Sequence, residues 1–258
     1  MFAPMTITVA RICRYPVKGL TAETLDRVEL AVGRALPWDR HFAIVPGSTP
    51  VGGATIGWMP KTSFLSLLKH EKLAALRARF DPATGVLAIE RGGRPVSKGV
   101  ITTPIGRAMI EEFFDAYMGA AARGRPRLVE AEEGAVLSDH SSAVVSIINL
   151  SSVKDLERVT AHPVDPVRFR GNLFIAGARA WAEFDWVGKE IAVGGARLKV
   201  TERIGRCAAT NVDPETAQRD LNIPASLKRG FRHSDCGVYA VVVGAGPVAR
   251  GDPVTPPA

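Results

Sequence analysis

Apolar and polar residues alternate along much of the chain, which is the period of a half-buried β-strand. In the first half this period predicts strands at residues 6–17, 25–30, 41–45, 73–80 and 86–90, with a hairpin turn at 81–85. In the second half it predicts strands at residues 167–176, 189–193, 196–203 and 237–243. Because few βαβ alternations appear, we expect mixed or antiparallel sheets closed into barrels.

Helical periodicity is confined to a few segments. The segment Pro104–Met118 begins with a proline and carries apolar residues at positions 105, 109, 113 and 117, which predicts a helix. Residues 151–159 predict a second helix, with Ser151 as its cap and Leu156 facing inward. Two shorter helices are predicted at 214–221, after Asp213 as N-cap, and near 224–229.

A glycine-rich and charged stretch at residues 119–134 separates the two longer helices and indicates a domain junction or surface connection. We therefore expect a β-barrel-like N-terminal domain over 1–118 and a second domain over 119–258. Together these patterns predict a β-rich, mixed α+β protein with peripheral helices.

Composition narrows the classes of protein to which the chain could belong. Of its 258 residues 46% are apolar, which is enough for a substantial core, and no apolar run reaches membrane-spanning length. Three cysteines without metal-finger spacing, and no secretory signal pattern, favour a reducing cytoplasm. We expect a soluble cytoplasmic protein that does not bind membranes.

The net charge of +7 permits either a nucleic-acid partner or an anionic ligand. The basic residues are scattered, and no nucleic-acid-binding signature accompanies them. No zinc-protease, Rossmann or Walker spacing occurs either. A local pocket for a phosphate is therefore the favoured interpretation, without nucleic acid.

Cys207 is the residue whose surroundings indicate chemistry most directly. It lies in the run Arg206-Cys207-Ala208, between an alternating strand and the helix start predicted at Asp213. A neighbouring guanidinium favours the thiolate, the form that attacks electrophiles or binds a soft metal. Cys13 and Cys236 lie in or beside strands and are interpreted as packing residues.

Five short motifs then occur in a particular order. They are Tyr15-Pro16-Val17-Lys18, Asp39-Arg40, Phe169-Arg170-Gly171-Asn172-Leu173, the run from Arg206 to Pro214, and Gly251-Asp252-Pro253-Val254. In this order the chain resembles the MOSC superfamily, specifically members with an N-terminal MOSC β-barrel domain followed by the MOSC domain. The mitochondrial amidoxime-reducing component and its bacterial relatives have this organisation.

The resemblance implies an enzyme that binds a molybdenum cofactor, a molybdenum-pterin, with Cys207 as the protein ligand to the metal. The residues implied to hold the pterin and its phosphate are Lys18, Arg40, Arg170 and Asn172. Arg206 is implied to reach the same anion or to tune the metal site. A family-level association with pyridoxal phosphate binding comes with the same resemblance.

Two positions depart from the family pattern, and one acidic stretch matches it. Gly19 stands where the family often has serine, and Gly171 stands where proline is common. Glu183 and Asp185 match an acidic stretch implied to orient the site or deliver protons, although surface acids explain them equally well.

The leading hypothesis is a molybdenum-dependent oxidoreductase that reduces N-hydroxylated or N-oxide compounds. Because no cysteine cluster for an iron–sulfur centre is present, its electrons are expected from a separate donor protein such as a ferredoxin or flavodoxin. The alternative is a sulfur carrier or sulfurtransferase with a persulfide on Cys207. A non-catalytic module that binds anions is the third possibility.

Overall fold

Strands make up most of the regular structure in the computed structural model, which describes residues 6–257. The strands of the first half are β1 (Thr8–Arg14), β2 (Glu23–Leu25), β3 (Arg27–Leu30), β4 (Phe42–Val45), β5 (Thr55–Ile56), β6 (Leu76–Asp81), β7 (Val86–Arg91), β8 (Arg94–Val100) and β9 (Arg127–Ala131). Those of the second half are β10 (Val145–Asn149), β11 (Leu173–Ala176), β12 (Glu190–Val193), β13 (Ala196–Gly205), β14 (Asp235–Gly244), β15 (Gly246–Ala249) and β16 (Val254–Thr255). The α-helices are α1 (Pro104–Met118), α2 (Leu150–Thr160) and α3 (Ile223–Phe231).

One large sheet carries strands from both ends of the chain, in the order β16-β12-β13-β14-β10-β11-β1-β2. It curls into a half barrel. Neighbouring strands are antiparallel except for β10 and β11, which are parallel. Alternate side chains of its strands bury against one another, for example Val9, Ile147 and Leu198, each fully buried. The first strand is thus built into the sheet that the second half of the chain forms.

Three smaller sheets complete the β-structure of the described residues: β4-β9-β5, β6-β7-β8 and β15-β3. Helix α1 packs along β8, and its apolar face covers a second core that includes Phe42, Leu87 and Phe114. The β-rich, mixed α+β class predicted from the sequence is confirmed. No helix among residues 6–257 has both the length and the hydropathy needed to cross a membrane.

The sequence indicated a domain junction or surface connection at residues 119–134, but this stretch also contributes to a sheet. It contains β9, which pairs with both β4 and β5 and buries Leu128 and Val129. The glycines and charges around this short strand concealed it, because only five residues carry its pattern.

Two other predictions were wrong. Residues 214–221 form turns instead of a helix, because the Asp213 side chain accepts hydrogen bonds from the amides of Glu215 and Thr216 and Ala217 has φ +57°. The strand predicted at 167–176 begins only at Leu173, since Pro166–Phe169 forms a 3-10 helix capped by Asp165.

Both longer helices exist, but two details differ. Asn149, not Ser151, caps α2 by accepting a hydrogen bond from the Ser151 amide, while Leu156 is fully buried as expected. On α1 the apolar residues at 105 and 109 are exposed, and the buried stripe lies one position further on, at Gly106, Ile110, Phe114 and Met118. Two overlapping apolar stripes made the periodicity ambiguous.

The inward face of α1 can be tested by two isoleucine truncations. Ile110→Ala should lower the free energy of unfolding by about 2–5 kcal/mol, because a fully buried side chain leaves a cavity. Ile105→Ala should change it by less than about 0.5 kcal/mol, since Ile105 is 77% exposed. Urea unfolding of the two variants measures both values, and similar costs would contradict this orientation of the helix.

Candidate functional site

A cavity of about 320 Å³ brings together residues that are far apart in the sequence. We call it the thiol cavity. Its lining includes Lys18, Arg40, Lys61, Asp139, Arg170, Asn172, Arg206, Cys207 and Tyr239. Both halves of the chain contribute to it, because β1 and the loop after it lie beside strands of the second half.

Cys207 enters this cavity from the end of a long strand. It is separated from β13 by Arg206 and directly precedes the 3-10 helix Ala208–Asn211, whose first turn is closed by hydrogen bonds from Thr210 to the Cys207 carbonyl. The residue is partly exposed, whereas Cys13 and Cys236 are buried. Burial raises the pKa of the Cys236 thiol to about 12. Cys13 and Cys236 are packing residues, as predicted, and Cys207 is the accessible thiol.

The arginines close to Cys207 in sequence contact backbone carbonyls or an aromatic ring. Arg206 donates from Nε to the Cys236 carbonyl at 2.8 Å and from Nη1 to the Phe169 carbonyl at 2.9 Å. Arg203 lies over the ring of Phe184 at 4.3 Å. Arg206 therefore anchors the loop that carries Cys207, and its guanidinium has few donors left for an anion.

Lys61 supplies a cation that the local sequence around Cys207 does not reveal. Burial lowers the pKa of Lys61, but Asp139 and then Cys207 raise it above its usual range. The Lys61 ammonium lies 3.6 Å from an Asp139 carboxylate oxygen. Since Lys61 lies in the first half of the chain, only the fold could bring it to the thiol.

Two arginines that line the cavity stack on one buried tyrosine. The guanidinium carbons of Arg40 and Arg170 lie 4.4 and 4.3 Å from the Tyr15 ring centre. Arg40 also pairs with Asp39 and donates to the Arg170 carbonyl at 2.5 Å. Both arginines have left-handed backbones, with φ +48° and +51°. Strained conformations of this kind are held where a site fixes its side chains.

Arg170 has an unused donor. Its Nη1 donates to the Leu20 carbonyl at 2.8 Å, but its buried Nη2 has no hydrogen-bond partner. Burial lowers the pKa of Arg170 to about 10. The guanidinium forms no ion pair with any carboxylate among residues 6–257. A buried cationic donor without a partner is costly, so this position suits an anionic ligand.

Lys18 faces the same cavity and is 6% exposed. Burial lowers its pKa, and its ammonium donates to Asp139 at 2.6 Å. Although burial raises the pKa of Asp139, the Lys18 ammonium, together with Lys61 and Arg40, holds it below the usual range. Asp139 is thus an ionised carboxylate among cations.

The remaining residues suggested by the sequence have other surroundings. Asn172 lines the cavity, but its side chain accepts from Ser146 and donates to the Cys13 carbonyl, which ties neighbouring strands together. Glu183 is fully buried and accepts from Asn149 and Ser152.

Asp185 is exposed and lies 3.4 Å from Arg179. Neither Glu183 nor Asp185 lines the thiol cavity, because the 3-10 helix Ala182–Trp186 that carries them packs elsewhere on the barrel.

The two departures from the family pattern have local causes. Gly19 has φ +85°, and a Cβ there would lie 2.9 Å from the Leu65 carbonyl oxygen. A Cβ on Gly171 would lie 2.3 Å from a side-chain carbon of Ile148. Serine or proline would therefore be strained here, so glycine preserves the packing of the loops that carry Lys18 and Arg170.

The donor set fits a metal that takes one ligand from the chain. No group of three or more His, Cys, Asp or Glu side chains suited to a metal occurs among residues 6–257. A single accessible thiol in the same cavity as Arg170, a cation without a carboxylate partner, suits a soft metal carried by an anionic organic cofactor better than a metal held by protein ligands alone.

Comparison with known proteins agrees with this organisation. The family models for the MOSC N-terminal beta barrel domain and the MOSC domain match residues 6–125 and 134–255. The mitochondrial amidoxime-reducing component 1 of Homo sapiens is 29% identical over 120 residues, 42% of this chain and 35% of that protein. Its Xenopus laevis counterpart is 28% identical over 131 residues, 46% of this chain and 38% of that protein.

These matches span little more than a third of each curated relative. Among solved structures, the YUAD protein of Bacillus subtilis aligns over 98% of this chain and 97% of its own, with 12% identity and a TM-score of 0.46. The two family models follow one another along nearly the whole chain, as the order of the motifs predicts. The chain therefore belongs to the MOSC superfamily, with a MOSC N-terminal β-barrel domain followed by a MOSC domain.

Proposed function

We propose that this protein is a molybdenum-cofactor oxidoreductase that reduces N-hydroxylated or N-oxide compounds. The observation that carries the proposal is that Arg170, whose buried Nη2 has no hydrogen-bond partner, lines the same cavity as the accessible thiol of Cys207. A ligand that satisfies both needs an anionic end and a metal with affinity for thiolate. The similarity to amidoxime-reducing components supports the reaction class.

Six residues of the thiol cavity then have roles in holding the cofactor. Cys207 would be the protein ligand to molybdenum, and Arg170 with Lys18 would bind the phosphate of the pterin. Arg40 would hold Arg170 in place by donating to the Arg170 carbonyl and by stacking on the same Tyr15 ring. Asn172 and Arg206 would position the loops through their backbone hydrogen bonds. When bound, the cofactor would supply the two electrons that cleave the N–O bond.

Reduction of an N–OH group also consumes two protons and releases water. His140 and Glu202 line the cavity with their side chains 2.8 Å apart, and His140 packs against Tyr239. These residues stand at the cavity, unlike Glu183 and Asp185, so we assign proton delivery to the His140–Glu202 pair.

The proposal is tested with full-length protein purified from a host that makes the cofactor. We expect about one molybdenum atom per chain by elemental analysis. We also expect reduction of benzamidoxime with reduced viologen as donor, but none with NADPH alone. Protein without molybdenum would contradict the proposed cofactor, and turnover with NADPH alone would contradict the need for a separate donor.

We further propose that the physiological donor is an acidic carrier such as a ferredoxin or flavodoxin. The net charge of +7 supports electrostatic steering of such a partner. The basic residues around the cavity place part of this charge where electrons must enter.

A sulfur carrier remains the second candidate because the same thiol could hold a persulfide. The accessible sulfur and the facing Lys61 ammonium favour it, since a nearby cation stabilises an anionic sulfur. Cyanolysis that releases thiocyanate from the wild type but not from Cys207→Ala would support this role.

A further inference from the structure

Asp139 stands in the thiol cavity where a bound anion would be expected. Its carboxylate accepts from the Lys18 ammonium at 2.6 Å and lies 3.6 Å from that of Lys61. Two cations facing one carboxylate are the arrangement that a phosphate monoester would also need. The other carboxylates of the cavity face other groups, Asp39 facing Arg40 and Glu202 facing His140, and neither contacts Lys18 or Lys61. Asp139 is therefore the carboxylate in direct competition with a ligand.

The loop that carries Asp139 is anchored at both ends and, between them, through His140, whose Nε2 lies 2.8 Å from a Glu202 carboxylate oxygen. The Leu137 amide donates to the Arg40 carbonyl, and β10 begins at Val145, so both ends are fixed. Between them the contacts are mostly local or from side chains. The exposed Trp58 donates from Nε1 to the Ser138 carbonyl at 3.2 Å, and the Ser138 hydroxyl donates to the His140 carbonyl. No residue from 138 to 143 belongs to a strand or helix.

The position and the charge of Asp139 both weaken the binding of an anion at Lys18. A phosphate oxygen that contacts Lys18 lies beside the Asp139 carboxylate unless it takes that carboxylate's place, and two anions at contact distance repel each other. Arg170 lies in the same cavity with an unused donor, so an incoming anion gains a cation that Asp139 does not contact.

We propose that Asp139 is a built-in competitor that pairs with Lys18 and Lys61 in the cofactor-free protein and whose side chain is displaced when an anionic ligand binds. The inference rests on the proposed function only in treating the thiol cavity as an anion site, and it adds the regulation of that site. Asp139 lowers affinity for the ligand and keeps the buried Lys18 paired until the ligand arrives.

The test measures binding of inorganic phosphate to the cofactor-free full chain by titration calorimetry. Asp139→Asn should bind phosphate about tenfold more tightly than the wild type, because the competing charge is removed while the side-chain size is kept. The matched control is Asp185→Asn, which removes one exposed carboxylate outside the cavity and should leave the affinity unchanged. It accounts for the general effect of losing one negative charge.

A second pair of variants locates the binding. Adding Lys18→Met to Asp139→Asn should abolish the gain, because the ammonium that Asp139 had covered is gone. Asp139→Ser provides the same comparison if the asparagine variant does not fold. Affinity in both Asp139 variants that equals or falls below that of the wild type would overturn the inference, as would a gain that survives Lys18→Met. Tight phosphate binding in a protein that takes up no molybdenum would instead contradict only the proposed function.

Discussion

Cys207→Ala should abolish reduction of benzamidoxime while the protein remains folded. The thiol is the accessible one of the three cysteines, and in the proposed function it is the chain's ligand to molybdenum. Its loop is held by Arg206 and by the hydrogen bonds of Thr210 to the Cys207 backbone, none of which needs the sulfur. The free energy of unfolding should therefore change by less than about 1 kcal/mol.

Activity with reduced viologen, molybdenum content and thermal unfolding are measured on the same preparations. Cys13→Ala is the matched control, since it removes a thiol of the same chain that is buried away from the thiol cavity. It should keep its molybdenum and its activity, at some cost in stability from the lost packing. Full activity in Cys207→Ala would exclude Cys207 as a ligand that the reaction requires.

The sequence predicted the positions of the strands better than the pairing between strands. The hairpin at 81–85 and the long strands of the second half follow from local alternation and turn residues. That β1 pairs with β11 is a contact across more than 150 residues, and no local pattern encodes it. The helix prediction at 214–221 was wrong for a local reason, since an Asp-Pro pair that can cap a helix can equally close a turn.

The candidate site was predicted through motifs, and motifs give residue types without their partners. Lys18, Arg40, Arg170 and Cys207 do lie in one cavity. The flanking Arg206 was expected to reach the anion or to tune the metal site. Its donors are used by backbone carbonyls, which could be foreseen only by knowing how β14 returns beside the loop. Lys61 was missed because nothing in its own surroundings marks it.

Glu183 shows a different limit of sequence reasoning. Its acidic stretch resembles a functional one, yet the side chain is buried and hydrogen-bonded to Asn149 and Ser152. Burial raises its pKa. A match to a motif does not show whether an acidic residue lies at the site. Only the structure, through the residues that line the cavity, shows this.

Arg170→Ala should produce protein that folds but holds little cofactor. Loss of a charged hydrogen-bond partner to a buried anion costs about 1.5–3 kcal/mol, which corresponds to a ten- to hundredfold lower affinity. Molybdenum and pterin content should fall together, since one ligand carries both. Arg170→Lys should keep part of the content, because it retains the charge but not the planar fork.

The control Arg125→Ala removes an exposed arginine outside the thiol cavity, and its cofactor content should equal that of the wild type. Cofactor-free samples separate binding from folding. Because Nη2 of Arg170 has no partner there, the alanine variant loses one hydrogen bond to Leu20 and the stacking on Tyr15 but is relieved of a buried unpaired donor. Its cofactor-free melting temperature should therefore lie close to that of the wild type. Equal cofactor occupancy in the Arg170 and Arg125 variants would place the anion site elsewhere.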